Sequence, residues 1–313
     1  MILCITPNPD IEYTWIVPSF QLGKTHHVQQ AVIMPSGKGV NVARAIHSMG
    51  GKAMCAGFLG GHTGKYMESL IEQMEIPAKW TWIDGETRIA VAIIDTEMQQ
   101  QDATLVSELG PSITREDWLN LISDVLSINS KYACISGRLP GGSPLNEFGN
   151  LIRMLENQGT NVWIDTSGEG LREAMNAKPT GIKINAIEAS VITGNKIFDV
   201  QSAYISANQI LEKNIQQVVL TLGEKGAILV CHEGSWFAKS PSIPTISSVG
   251  SGDAFMAGLL NAYENNQIPP VVLREAVALG AANTMVLGGG NFDMKIVEEL
   301  IPGIEVKPIS SSN

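Results

Sequence analysis

From Tyr132 onward the chain alternates short apolar runs with amphipathic stretches, almost without interruption. Strands are predicted at Tyr132 to Ser136, Val162 to Asp165, Ile182 to Ile184, 217–222 and 226–231. Between them fall a helix opening at Ser143-Pro144, in the usual N-cap, N1 manner, and helices at 168–176, 186–193 and 199–213. Helices at 254–264, about 271–287 and about 293–301 follow. A chain that alternates in this way carries each strand back across a helix, so its strands lie parallel and are covered on both faces. The N-terminal third repeats the pattern. Ile2 to Thr6 reads as a strand, and Val40, Val42, Ala43, Ala45, Ile46 and Met49 form one face of a helix. A strand at 52–58 and a helix at about 63–74 come next. Thr114 caps a helix with Trp118, Leu119, Ile122, Val125 and Leu126 on one side. The fold class predicted is α/β: a doubly wound, mostly parallel sheet.

Two intervals break the alternation. Residues 12–36 and 80–108 carry scattered aromatic and β-branched residues among polar ones, as thin, half-exposed sheet does. Gln99 to Asp102 reads as an exposed turn within the second interval. The division expected is therefore a core of residues 1–11, 37–79 and 109–313, with 12–36 and 80–108 inserted as a β lid. A lid over the strand C-termini covers the place where ligands of such sheets bind. Its exposed edges and apolar side chains suit a second copy of the chain, so a homodimer through the lid is expected.

Composition narrows the class of function. The 313 residues, 44% hydrophobic and 17% charged, suit a globular protein with a large core. A formal net charge of −10 argues against broad nucleic-acid binding. An anionic substrate must then be held by a few placed cations. No apolar run approaches membrane-spanning length, and Pro7, Pro9 and Asp10 interrupt any signal-peptide pattern. Cys4, Cys55, Cys134 and Cys231 are widely spaced in apolar runs, as free thiols of a reducing compartment are. The location expected is cytoplasmic.

One segment carries chemistry. Gly250-Ser251-Gly252 leads into the apolar run Ala254 to Tyr263, with Asp253 in the first helical turn. Small residues admit an anion close to the backbone, and helix-start amides point outward with the dipole behind them. A carboxylate there can take a proton from a hydroxyl while the amides stabilise a transferring phosphoryl group. The plain alternative is a capped helix with an Asp in its first turn. Gly64-Lys65 is not a P-loop, since Leu59 stands at the earlier glycine position and Tyr66 follows the lysine. Lys38, within Ser36-Gly37-Lys38-Gly39, is either a phosphate ligand or a solvated turn lysine. Asn41 faces the same way at the helix start. Arg88 and Arg138 read as phosphate ligands or as ordinary surface charges. Asn185 and Glu188 suit either a water-coordinated Mg²⁺ or a plain capping pair. Thr221 to Gly226 is a hairpin turn that also suits a nucleotide.

Taken together, these segments resemble the PfkB (ribokinase-like) family of carbohydrate kinases across essentially the whole chain. The resemblance rests on Thr6-Pro7-Asn8-Pro9, Ser36 to Arg44, Ser136-Gly137, Lys183 to Glu188, Leu222 to Ala227 and Val249 to Asp253, in that order. The Ser-Gly-Lys-Gly form, with Thr87-Arg88, looks like the branch that phosphorylates sugar phosphates. The resemblance implies an ATP- and Mg²⁺-dependent kinase that converts fructose 1-phosphate to fructose 1,6-bisphosphate. Tagatose 6-phosphate or another hexose phosphate is the runner-up, and a non-catalytic sugar-phosphate-binding regulator is the rival of another class. Asp253 is then the base, and Gly250, Ser251 and Gly252 are the anion hole. Lys38 and Arg88 hold the sugar's phosphate, in a pocket that includes Gly37 and Gly39, and Asn41 holds its hydroxyls. Asn185 and Glu188 order Mg²⁺ through water, while Thr221, Gly223, Gly226 and Asn283 line the nucleotide. Three residues depart from the family pattern. Glu12 replaces an Asp expected to hold sugar hydroxyls, and Arg138 replaces a small residue and adds a candidate phosphate ligand. Ser247 replaces an Asp near a monovalent-cation site, which leaves K⁺ dependence open.

Overall fold

The computed structural model describes residues 1–97 and 103–310. Its frame is a ten-stranded sheet made of β1 (Ile2–Thr6), β4 (Ala53–Gly60), β5 (Ala78–Ile83), β8 (Tyr132–Ser136), β9 (Asn161–Asp165), β10 (Gly181–Asn185), β11 (Gln217–Thr221), β12 (Ala227–Cys231), β13 (Gly234–Ala238) and β14 (Val306–Pro308). The spatial order is β14-β13-β12-β11-β10-β9-β8-β1-β4-β5. Pairing is parallel from β5 to β11 and antiparallel from β11 to β14. The chain winds outward from β1 through β4 to β5, then returns to β8 and winds the other way. The crevice beside β1 is thus a switch point, where ligands enter such sheets.

Alternate residues of each central strand feed two cores. Ile2 and Cys4 join the residues of α1 (Lys38–Ser48), α8 (Ser251–Glu264) and α9 (Pro269–Asn283) on one face. Leu3 and Ile5 join those of α3 (Arg115–Leu126), α4 (Leu145–Asn157) and α7 (Val200–Leu211) on the other. Burial on both faces is why these strands are apolar through their middles, with Lys183 on β10 the exception. Cys4 pairs in register with Cys55 on β4 and with Cys134 on β8, so three buried thiols cross the middle of the sheet side by side. α2 (Gly61–Gln73), α5 (Gly168–Ala177), α6 (Ala186–Thr193) and α10 (Met294–Leu300) complete the layers.

The second sheet has the order β3-β2-β6-β7, formed by β2 (Asp10–Val17), β3 (Gln30–Ser36), β6 (Arg88–Asp95) and β7 (Thr104–Ser107). It starts two residues earlier than expected, at Asp10. Residues 80–83 do not belong to it: β5 extends the large sheet by pairing with β4, and its Trp80 and Thr81 are buried. One buried face and one open face give an edge strand the same alternation as a lid strand. The predicted turn at Gln99 to Asp102 lies outside the described residues.

Other differences are local. Thr114 caps α3 through a capping box with Asp117, but the buried stripe is Trp118, Leu121, Ile122 and Val125. Leu119 is exposed. Helix α4 starts one residue later than Ser143-Pro144 suggests, with Pro144 at the N-cap and the Ser143 hydroxyl donated to Pro140 O. The last long helix, α9, covers 269–283 and stops before 287. β13 and β14 are short and half-exposed, and neither shows a readable period. Among the described residues no helix is long and apolar enough to cross a membrane.

Candidate active site

The head of α8 is shaped by Gly250. Its φ of 80° is left-handed, and a Cβ there would collide with the Cα of Gly289. Only glycine fits. The turn brings the first amides of α8 round to the crevice. Among the described residues no hydrogen bond uses the N–H of Gly250 or Gly252. A Cβ on Gly252 would sit 2.9 Å from Lys183 Nζ. Free amides and a buried ammonium therefore share one small hollow, which is an anion site with a formal charge behind it.

Asp253 lies beside that hollow and is 6% exposed. Its Oδ2 accepts a hydrogen bond from Asn41 Nδ2 at 2.8 Å. Burial pushes its carboxyl up to about 6; Lys38 pulls it down, Asp165 pushes it up, and Asn41 and Lys183 pull it down. A carboxylate with that value is ionised at neutral pH and still basic enough to take a proton.

Two residues that the sequence did not single out complete the centre. Asp165, at the end of β9, is buried and accepts from Lys38 Nζ at 2.8 Å and from Lys183 Nζ. Burial alone would raise its carboxyl, but Lys183 and Lys38 hold it down at about 2. Asp165 in turn keeps Lys38 protonated well above the ordinary lysine value, with Asp253 adding to the effect. Their signals were faint: an apolar strand ending on Asp, and a lysine between two isoleucines. Arg44, inside α1, was likewise missed as a site residue. Gly37 opens α1 with φ of 109°, and a Cβ there would lie 2.8 Å from Thr6 Cγ2. Strand β1 and Lys38 approach each other this closely only because that side chain is missing.

The other expected residues fall as follows. Lys38 is paired at Asp165 beside Asp253, and Arg88 is paired with Asp10, so the two cations do not share one partner. Arg88 also donates to Asn8 O at 3.2 Å and to Ser107 Oγ. Burial raises Asp10 to about 6 against the pull of Arg88. Glu12 is buried, with Thr14 Oγ1 donating to it at 3.2 Å and Ser36 Oγ at 3.5 Å. Asn41 spends its side chain on Asp253 and Arg44. Arg138 is exposed, and among the described residues it makes no ion pair or side-chain hydrogen bond. Asn185 and Glu188 form a reciprocal capping box on α6, at 2.9 and 3.0 Å.

Thr221, Gly223 and Gly226 line a cleft of about 1260 Å³ that reaches Ser251 and Gly252. Asn283 does not line it. It is fully buried, and its Nδ2 donates to Gly288 O and Asn291 O at 3.0 and 2.8 Å. The cleft wall there is Gly280, Ala281 and Thr284. Asn283 instead secures the glycine loop that backs Gly250. Ser247 is buried and its Oγ accepts from Val249 N at 3.2 Å.

A buried carboxylate next to a hollow of free amides, at the mouth of a cleft large enough for a nucleotide, suits a phosphotransferase that acts on a hydroxyl. Comparison with known proteins agrees. The profile of the pfkB family carbohydrate kinases matches residues 10–295. A tagatose-6-phosphate kinase of Staphylococcus epidermidis is 30% identical over 311 residues, covering 98% of this chain and 99% of the relative. A 1-phosphofructokinase of Escherichia coli is 27% identical over 308 residues, covering 98% of each. Phosphofructokinase-2 from Escherichia coli, solved in complex with potassium, superposes with a TM-score of 0.90 at 25% identity, covering 97% of this chain and 98% of that one. The chain belongs to the PfkB family of carbohydrate kinases.

Proposed function

We propose that the protein is an ATP-dependent kinase of a ketohexose phosphate, with fructose 1-phosphate as acceptor and fructose 1,6-bisphosphate as product. The observation that carries this reading is Asp253, buried beside the Gly252 hollow and already bonded to a donor that favours its charged form. Asp253 takes the proton of the acceptor hydroxyl as its oxygen bonds to the γ-phosphorus and the bond to ADP breaks. The free amides of Gly250 and Gly252, with Lys183, face the charge on the phosphoryl group, whereas the expected Ser251 amide donates to Ser248 O at 3.3 Å. The reaction is driven by positioning and electrostatics. Lys38, held against Asp165, suits the transferring phosphoryl group better than the sugar's own phosphate. Arg88 is the candidate for the latter, with exposed Arg138 as a further one, and Glu12 faces the hydroxyls.

The donor set fits magnesium. Asp165 and Asp253 are balanced by Lys38 and Lys183, so a nucleotide brings uncompensated charge. Among the described residues no cluster of three or more His, Cys, Asp or Glu forms a dedicated metal cage. Magnesium binds through few protein oxygens and several waters, and it would supply charge neutralisation of the phosphates. Asn185 and Glu188, through water, are the candidates to hold it. Ser247 brings no charge for a monovalent cation, and comparing rates in K⁺ and Na⁺ buffers tests that dependence directly.

The second reading is tagatose 6-phosphate, favoured by the 30% identity to the Staphylococcus epidermidis enzyme. Both reactions end in a ketohexose 1,6-bisphosphate, so they differ in which end of the sugar lies at Asp253 and in the configuration at C4. A coupled ADP-release assay across a panel of hexose phosphates decides between them. Binding without turnover on any member would instead favour the regulator. Leu105 and Val106 on β7 are more than half exposed and extend the lid as a face for a second subunit. Sedimentation of the purified chain tests that homodimer.

A further inference from the structure

Arg44 sits in the middle of α1 and is buried. Burial pulls its ordinary value down, even with Glu12 and Asp253 nearby. Among the described residues it forms no ion pair, and its bonds go to neutral oxygens. Nη1 donates to Pro35 O at 2.8 Å, while Nη2 donates to Asn41 Oδ1 at 2.6 Å and to Gly289 O. A buried cation spread over neutral acceptors is costly. Packing alone does not call for one there.

The chemistry of Asn41 supplies the reason. An asparagine amide offers an acceptor on one side and donors on the other, and it can turn over without changing shape. A guanidinium only donates. Arg44 therefore compels Asn41 to present Oδ1 to it and Nδ2 to Asp253. In the reversed amide, an oxygen would face the Asp253 carboxylate, an arrangement that holds only when Asp253 is protonated. The same Nη2 also donates to the carbonyl of Gly289, whose Cα lies against Gly250. One cation thus touches both the partner of the base and the loop that backs the anion hollow.

We infer that Arg44 is a positioning residue for phosphoryl transfer: by bonding Asn41 Oδ1 and Gly289 O with one guanidinium, it fixes the amide that donates to Asp253 and keeps the base aligned with the anion hollow. The inference rests on the reading of Asp253 as the base. The charged and polar groups facing Asp253 are Lys38 and Asn41 on α1, Asp165 on β9 and Lys183 on β10.

The test uses the full chain and ADP release with fructose 1-phosphate and with tagatose 6-phosphate, from pH 5 to 9. Arg44→Lys keeps the charge but cannot reach all three acceptors. Its kcat should fall about 10- to 100-fold through misalignment, with little change in KM for ATP. The acid limb of kcat/KM should rise by about one pH unit. Asn41→Asp keeps the shape and the bond to Arg44 but replaces the donor with an acceptor, and should raise the limb at least as far. If both variants keep the wild-type acid limb and lose kcat only in proportion to their folded fraction, Arg44 is structural and the inference is wrong. If Arg44→Lys does not fold, Arg44→Gln takes its place, and a wild-type acid limb in that variant overturns the inference. Full activity in Asp253→Asn would instead overturn the reading of the base itself.

Discussion

Replacing Asp165 with asparagine removes the one carboxylate that two lysines share. Asp165 is held at about 2 against an ordinary 3.8, a preference worth about 2 kcal/mol at neutral pH. The two lysines do not lose equally. Lys38 is 43% exposed at its side chain and can turn to water, whereas Lys183 is 7% exposed and cannot. The cost of Asp165→Asn therefore falls mainly on Lys183, and the expected loss is about 2 to 4 kcal/mol. The sign with pH follows from the lowered value. This stabilisation is full above 3.8 and is lost as pH falls towards 2. Urea unfolding followed by tryptophan fluorescence is the assay, since Trp163 lies on β9 two residues before Asp165 and is buried. The gap between wild type and variant should be about 1 kcal/mol narrower at pH 3 than at pH 7. Activity should respond in the other direction. Asp165 pushes Asp253 up, so its removal should move the acid limb of kcat/KM below 6. A variant as stable as wild type at pH 7, or an acid limb that rises, would refute this account of the centre.

Three further outcomes are expected. Activity should fall as pH drops through the Asp253 value of about 6, to about a tenth at pH 5, and Asp253→Asn should lose about 10²- to 10⁴-fold in kcat; both are read by ADP release. Gly250→Ala forces a Cβ onto Gly289 in a left-handed turn, and should cost about 10²-fold or more in kcat, together with a measurable drop in melting temperature. If Arg88 holds the sugar's phosphate as proposed, Arg88→Met should raise the KM for the sugar phosphate about tenfold or more while changing kcat less; initial rates against sugar-phosphate concentration separate the two.

The strand-helix frame was legible because a parallel sheet covered on both sides makes most central strands apolar through their middles, as in Tyr132–Ser136 and Gln217–Thr221. The head of α8 was legible because only small residues allow that turn. What escaped depends on contacts between distant segments. Trp80 alternates with its neighbours as a lid residue would, and pairing with β4 decides otherwise. Asn283 has the polarity of a ligand contact, yet the loop at 288–291 absorbs its donors. Asn185 and Glu188 had two readings at one spacing, and the capping box is the one visible in the structure. Asp165 has no motif of its own, and Lys183 and Arg44 stand at the ends of motifs that assign them no role. Their roles arise only when three separate elements converge on α8.

The row of thiols across the large sheet gives the protein a built-in reporter. Cys4, Cys55 and Cys134 are sealed from water, and burial raises Cys4 and pushes Cys55 up to about 12. Alkylation requires a thiolate, so a reagent at neutral pH reaches them only when β1 parts from its neighbours. Half-buried Cys231, on β12, should label first. Counting modified cysteines by mass over time would then clock how often the middle of the enzyme comes apart, and adding nucleotide or sugar phosphate should slow that clock if either ligand braces β1.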